Sequence, residues 1–96
     1  MKLIIRKNNI TAISNGITFK YSIEGRDGLF HASNLYGSNA AIFDHFKIKD
    51  PEKYVCNLLK RDPIYNGIFP WCQSRDEVIA IFNSFLHLYH DEPTIF

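Results

Sequence analysis

The sequence lacks several features that would place a small protein in a class directly. It has only two cysteines, Cys56 and Cys72, too few for a disulfide framework, so we expect both to be reduced and buried. No apolar run approaches the ~18 residues that a membrane-spanning helix needs. The apolar stretch near the N-terminus is too short for a signal peptide and lacks a small-residue cleavage site. These absences favour a cytoplasmic protein with no membrane partner.

Motifs of the common catalytic and nucleotide-binding sites are also missing. The chain contains no P-loop, no dinucleotide-binding glycine pattern, no nucleophile elbow and no paired-histidine zinc motif. His87 and His90 have the i, i+3 spacing of two metal ligands on a helix, but nearby residues offer only Asp91 and Glu92 to complete a site. We therefore predict no enzyme activity, no metal and no cofactor.

Cys72 is the one candidate nucleophile, because it precedes a predicted helix start and the positive end of a helix favours a thiolate. Ser74 and Glu77 match the capping-box pattern, and Asp76 adds a second carboxylate to the first turn. These groups occupy the free amides and offset the positive potential. We therefore interpret Cys72 as a packing residue.

The size and composition predict one folded domain over residues 1–96, since 46% of the residues are apolar. Charge is unevenly distributed: residues 1–61 carry ten Lys or Arg against five Asp or Glu, and residues 62–96 carry one against five. Such asymmetry is typical of a binding face or a subunit contact, and it also arises by chance in small proteins. Ile, Asn, Lys, Phe and Tyr supply 41 of the residues. Their AT-rich codons suggest a phage or another mobile element as the source.

The first third of the chain predicts an antiparallel meander of three or four strands. Residues 2–7 and 10–14 are rich in β-branched residues. Asn15-Gly16 is a strong type I′ hairpin signal, because both residues tolerate positive φ. Residues 17–24 alternate apolar with polar, which indicates a half-buried strand. We place the next turn at residues 25–28 and the fourth strand at residues 29–33.

The rest of the chain predicts two or three helices. Ser38 or Asn39 would cap a first, short helix. Asp50 as N-cap and Pro51 at the first helical position predict a second helix, which ends before the next proline. The longest helix is predicted over residues 74–90. The predicted fold class is α+β: an N-terminal antiparallel meander followed by helices, with the C-terminal helix packed on the sheet.

The predicted C-terminal helix has more apolar surface than one packing face needs. One stripe contains Val78, Ile81, Phe82, Phe85, Leu88 and Tyr89, and Ile79 and Leu86 form a second. Either the helix is central, or the second stripe contacts a partner. The small size of the domain favours a partner, including a second copy in a homodimer. Large apolar residues in predicted loops are further candidates. The predicted protein-binding residues are Tyr36, Tyr65, Phe69, Trp71, Ile79, Leu86, Ile95 and Phe96.

The leading functional hypothesis is a small non-catalytic protein-binding module. It would be a phage-encoded or mobile-element-encoded inhibitor that blocks a host protein complex by steric occlusion. A bacterial defence system, such as a CRISPR complex, is an example of such a target. The sequence does not identify the partner.

Two alternatives remain open. One is a nucleic-acid-binding protein, with Tyr21 or Phe30 stacking on bases, if its basic residues converge on one face. Lysines that only protect strands from aggregation are the simpler interpretation. The other alternative is a structural or virion assembly protein. The predicted nucleic-acid-binding residues are Lys2, Arg6, Lys7, Lys20, Lys47, Lys49 and Lys53.

Overall fold

The computed structural model describes residues 1–60 and 71–88. Within them lie the strands β1 (Lys2–Arg6), β2 (Asn9–Ser14), β3 (Ile17–Arg26) and β4 (Leu29–Asn34), then the helices α1 (Ala41–His45), α2 (Pro51–Leu59) and α3 (Arg75–Phe85). The strands form one antiparallel sheet in the order β1-β2-β3-β4. The predicted α+β class, with a meander followed by helices, is confirmed. A single domain over residues 1–96 stays a prediction.

Two-residue turns set the register of the meander. Asn15 (φ 51°) and Gly16 (φ 79°) join β2 to β3, and Asp27 (φ 53°) and Gly28 (φ 78°) join β3 to β4. Positive φ at both central residues is the type I′ condition, and its twist suits antiparallel strands. The Asn15-Gly16 turn is confirmed. The second turn is shorter than predicted, because Gly25 still belongs to β3 and pairs with β4.

The sheet has one buried face, and the helices pack against it. The residues buried there are Ile10, Ala12, Ser14, Phe19, Tyr21, Ile23 and Ala32. Those of β2 and β3 stand at alternate positions, as a period of two requires. His45 of α1 lies edge-on to Phe19, with 5.3 Å between ring centroids, and its Nε2 is 3.0 Å from the Ser14 hydroxyl. This contact holds α1 against the end of β2.

α3 supplies the centre of the core. Four of its residues are at most 1% exposed: Val78, Ile81, Phe82 and Phe85. Phe82 meets Tyr21 of the sheet edge-on at 5.1 Å, and Phe85 stacks on Phe46 at 5.2 Å. Buried aromatic rings of this kind contribute large apolar areas to a small core. The chain itself therefore covers most of the first apolar stripe predicted for this helix.

The second predicted stripe is only partly covered. Ile79 is half-buried against the core, and Leu86, just beyond α3, is 37% exposed. The helix ends at Phe85, earlier than the predicted end at residue 90, and residues 89 and 90 lie outside the described part. The amides of residues 86–88 bond carbonyls three residues back, which is the tighter 3₁₀ pattern common at helix ends. No described helix is long and apolar enough to cross a bilayer.

α2 begins as its sequence predicts, but it ends at Leu59, before the predicted end at Asp62-Pro63, because Lys60 adopts the left-handed conformation that closes the helix. The Asp50 carboxylate accepts a hydrogen bond from the Lys53 N–H at 3.1 Å, with Pro51 at the first helical position. The Tyr54 hydroxyl lies 2.6 Å from the Ser84 hydroxyl of α3. Because Ser84 directs its single proton to the Ile81 carbonyl, Tyr54 is the donor. This bond fixes α2 against α3.

The segment before α3 adds a bridge to the edge of the sheet. The Ser74 hydroxyl accepts from the Glu77 N–H at 3.2 Å, as the capping box predicts. The Glu77 carboxylate accepts from the Gln73 N–H at 2.7 Å, one residue before the Ser74 N–H that a capping box would use. Cys72 is fully buried, and its N–H and C=O both bond the backbone of Phe30. This position fits the interpretation of Cys72 as a packing residue.

The hairpin turn generates a stability prediction. Gly16→Ala places a Cβ at φ 79° with no heavy atom within 4 Å, so the cost is conformational. We expect the free energy of unfolding in urea to fall by about 1 kcal/mol. Gly37→Ala is the matched control, since its nearest contact is an ordinary 3.7 Å and its φ is not positive. We expect it to change stability by less than about 0.5 kcal/mol. Equal losses in the two variants would contradict the assigned turn.

Candidate functional site

The face of the sheet that points away from the helices, here called the open face, is solvent-accessible. Its described residues come from alternate positions of the strands, and none of them is buried. They are Lys2, Ile4, Arg6, Asn9, Thr11, Ile13, Thr18, Lys20, Ser22, Glu24, Arg26, Leu29, His31 and Ser33. An exposed sheet face with both apolar and charged side chains is a surface that another macromolecule can cover.

Positive charge predominates on the open face. Lys2, Arg6 and Lys20 are exposed there together, and Arg26 adds a fourth cation. Glu24 is the carboxylate that the described strands place on the same face. The other predicted basic residues lie elsewhere: Lys7 is in the turn between β1 and β2, and Lys47, Lys49 and Lys53 belong to the helical layer. The structure therefore brings three of the seven predicted residues together.

A row of residues crosses the open face, with an apolar side chain at each end. Ile4, Thr11 and Lys20 are directly opposite one another on β1, β2 and β3. The Leu35 N–H donates to the Lys20 carbonyl at 2.8 Å, which continues the pairing one residue past β4. Leu35 therefore lies at the end of this row. Ile13, diagonal to Ile4, extends the half-buried apolar surface.

The loop of residues 35–40, between β4 and α1, is held by side-chain hydrogen bonds. Asn34 accepts from the Tyr36 N–H at 3.0 Å through Oδ1 and donates to the Ser38 carbonyl at 2.8 Å through Nδ2. The Asn39 Oδ1 accepts from the Asn34 N–H at 2.7 Å. Asparagine favours such local bonds to the backbone. Both ends of the loop are therefore fixed.

The predicted cap of α1 is wrong, because the side chains of Ser38 and Asn39 form hydrogen bonds within the loop. The helix begins after Ala40 and has no side-chain cap. The Asn39 side chain is used in the loop, and the Ser38 hydroxyl accepts from the Ala40 N–H at 3.2 Å instead of capping the helix. Both residue types favour helix N-caps, but here their side chains form hydrogen bonds within the loop instead.

Tyr21 ties this loop to the core. Its hydroxyl donates to the Asn39 carbonyl at 2.9 Å while the ring is fully buried under Phe82. Burial raises the pKa of Tyr21 to about 12, and its hydrogen bonds oppose this rise only in part. Stacking of Tyr21 on a base, predicted for the nucleic-acid alternative, is excluded because the ring lies on the buried face.

The loop presents two adjacent apolar side chains. Leu35 is 52% exposed and Tyr36 is 78% exposed. Adjacent exposed apolar side chains form a patch of the kind that interaction sites use. Tyr36 was predicted as a contact residue, whereas Leu35 was missed. Its position directly before Tyr36 in a predicted loop was the available signal.

The Trp71 side chain packs largely against other residues of the same chain. Its ring stacks on His31 at 4.1 Å and 25°, and the His31 Nε2 lies 3.4 Å from a Glu24 carboxylate oxygen. The three residues form a row at one end of the open face. Trp71 is half-buried, so it offers a partner less surface than Tyr36 does.

The remaining candidate residues are dispersed. Ile79 and Leu86 lie on and just beyond α3, on the helical side of the molecule. The predicted contact residues Tyr65, Phe69, Ile95 and Phe96 lie outside the described residues. Within residues 1–60 and 71–88, no three His, Cys, Asp or Glu side chains are grouped to hold a metal ion. That the protein has no enzyme activity stays a prediction.

No protein-family model, no curated protein and no solved structure matches the chain. The open face and the adjoining loop are therefore the features from which a function is inferred.

Because of Tyr21, the free energy of unfolding is expected to decrease at alkaline pH. The phenol has a pKa of about 10 in the unfolded chain and about 12 in the folded one, so its neutral form stabilises the fold below pH 10. Between pH 10 and 12 the unfolded state loses its proton first. We expect this group to remove about 2–3 kcal/mol from the free energy of unfolding over that range. Urea denaturation of the wild type and Tyr21→Phe at each pH measures it, and parallel losses in both proteins would refute the assignment.

Asn34 is expected to control the order of the loop. Asn34→Ala removes two hydrogen bonds, so we expect faster hydrogen exchange at the Tyr36 amide and a loss of about 1–2 kcal/mol of stability. Asn57→Ala, at an exposed position of α2, is the control and should leave that amide unchanged. An unchanged exchange rate in Asn34→Ala would show that these bonds do not order the loop.

Proposed function

We propose that the protein is a small, non-catalytic protein-binding module that acts by covering part of a partner. Its contact surface would be the loop of residues 35–40 together with the open face. The observation that supports this most strongly is the hydrogen-bonded loop, which holds Leu35 and Tyr36 exposed next to the solvent-accessible open face.

The energetics of association favour such a surface. A loop that is already ordered loses little conformational entropy on binding. Tyrosine is enriched among residues that contribute most to interfaces, because its ring is rigid and amphipathic. Lys2, Arg6 and Lys20 would form a charged rim, which steers association and selects partners of negative potential.

The biological setting is also part of the proposal. AT-rich residue usage and small size support a phage-encoded or mobile-element-encoded inhibitor that works in the host cytoplasm by blocking a host complex. A homodimer through the C-terminal helix and a role in virion assembly stay predictions. Most of the described part of that helix is covered by its own chain, so we place the contact surface on the loop instead.

Nucleic-acid binding is the second candidate. It is supported by the convergence of Lys2, Arg6 and Lys20 on one face, where they could contact phosphates. It is weakened by Glu24 on that face and by the position of Lys47, Lys49 and Lys53 in the helical layer. The burial of Tyr21 also removes one predicted stacking group.

An affinity capture experiment separates these functions. Immobilised wild type is exposed to a bacterial lysate, and retained proteins are identified by mass spectrometry. A Leu35→Ala/Tyr36→Ala variant should lose the specific partner, with affinity for the purified partner falling about 30-fold or more, the effect of removing an interface hot spot. Leu58→Ala, at a 37% exposed position of α2, is the matched control and should bind normally.

Two outcomes would contradict protein binding through the loop. The first is retention of the same proteins by the wild type and the loop variant. The second is loss of all retained material after nuclease treatment, with a steep fall of affinity as salt rises, which would favour nucleic acid.

A further inference from the structure

The two edges of the sheet differ in how their backbone groups are satisfied. At the β4 edge, Phe30 exchanges two backbone hydrogen bonds with Cys72, at 2.9 and 2.7 Å. Further along the same edge, the Asn34 N–H donates to the Asn39 side chain. The chain therefore caps the β4 edge at both ends. The β1 edge has a different arrangement.

The ladder shows which β1 groups point outward. The Ile23 N–H donates to the Asn8 carbonyl, so Asn8 and the even-numbered residues of β2 form their backbone hydrogen bonds with β3. The odd-numbered residues of β2 therefore form theirs with β1. The β1 residues opposite those are Lys2, Ile4 and Arg6. The N–H and C=O groups of Leu3 and Ile5 therefore point away from the sheet. Within residues 1–60 and 71–88 no hydrogen bond reaches them.

The side chains of β1 carry a charge pattern along this edge. Lys2 and Arg6 are exposed on the open face, and the half-buried Ile4 lies between them. A strand added here would place its own side chains opposite these three residues. Acidic residues four positions apart, with an apolar residue midway, would match them.

A second copy of the chain matches the edge poorly. The longest antiparallel pairing of two β1 strands through Leu3 and Ile5 is centred on Ile4. That pairing sets Lys2 opposite Arg6 of the other copy twice, and directly opposed like charges destabilise a strand pair. Charge thus favours a different, acidic strand over self-pairing.

We propose that the β1 edge binds an extended acidic segment of a protein partner, which adds a strand to the sheet. Backbone hydrogen bonds to Leu3 and Ile5 would give affinity, and carboxylates opposite Lys2 and Arg6 would give specificity. The inference rests on the proposed protein-binding function and names the chemistry of the partner.

Synthetic peptides test the pairing on the intact chain. The probe is acetyl-Ser-Glu-Thr-Val-Thr-Glu-Ser-amide, and the control replaces both glutamates with lysine. We expect the acidic peptide to bind and to slow hydrogen exchange at the Leu3 and Ile5 amides about tenfold or more. Amides of Ile4 and Arg6, already bonded to β2, should change little. Equal binding of the two peptides, no binding of the acidic one, or unchanged exchange at Leu3 and Ile5 would overturn the proposal.

Charge variants supply a second measurement. Lys2→Glu/Arg6→Glu should weaken the acidic peptide about tenfold and strengthen the basic one, since two opposed pairs change from attractive to repulsive.

The result is distinguishable from failure of the proposed function. Leu35→Ala/Tyr36→Ala leaves β1 intact, so loss of partner capture in that variant tests the loop alone. A wild type that dimerises through β1 would identify a second copy as the occupant and would overturn the acidic partner. A single-stranded oligonucleotide that displaces the acidic peptide without slowing hydrogen exchange at the Leu3 and Ile5 amides would also overturn the acidic partner, in favour of nucleic acid.

Discussion

In residues 1–60 and 71–88 the helices lie on one side of the sheet, and only that face of the sheet is buried. The strands alternate apolar and polar side chains, and the tight turns keep the apolar ones on a common face. α3 then fills that face with the rings of Phe82 and Phe85. Within the described ranges no helix lies on the other side, so the side chains there stay accessible. The open face and the cations that it presents follow from this one-sided packing.

Tyr21 connects the buried face to the exposed loop. Its ring belongs to the core, and its hydroxyl satisfies the carbonyl of Asn39, whose side chain in turn fixes Asn34. A buried phenol needs such a partner, because an unsatisfied hydroxyl in the core is costly. The loop that carries Leu35 and Tyr36 is therefore ordered by the same residue that packs against α3. The hydrogen bond between the Tyr21 hydroxyl and the Asn39 carbonyl therefore links the packing of the core to the exposure of Leu35 and Tyr36.

Local chemistry made much of the fold predictable. Asn15-Gly16, Asp50-Pro51 and the Ser74 cap act through neighbours in sequence, so their patterns were sufficient. The order of the loop was only partly predictable, because the Tyr21 hydroxyl, 18 positions from Asn39, adds a long-range bond to the local bonds of Asn34. The same holds for the stacking of Trp71 on His31, and for the charges on the strands, whose common face follows only from the register. Site residues that arise from long-range pairing leave no local signal.

The loop and the β1 edge belong to one surface. Ile4 and Leu35 stand at opposite ends of the row, which runs from β1 across β2 and β3 to the residue just past β4. With strands about 4.8 Å apart, three spacings separate them by roughly 14 Å. A partner surface of ordinary interface size, about 800 Å² on each side, spans that distance. One partner that adds an acidic strand at β1 would lie within reach of Lys20 and of the apolar groups on the loop. The charged edge would set orientation and register, and burial of Leu35 and Tyr36 would supply most of the affinity.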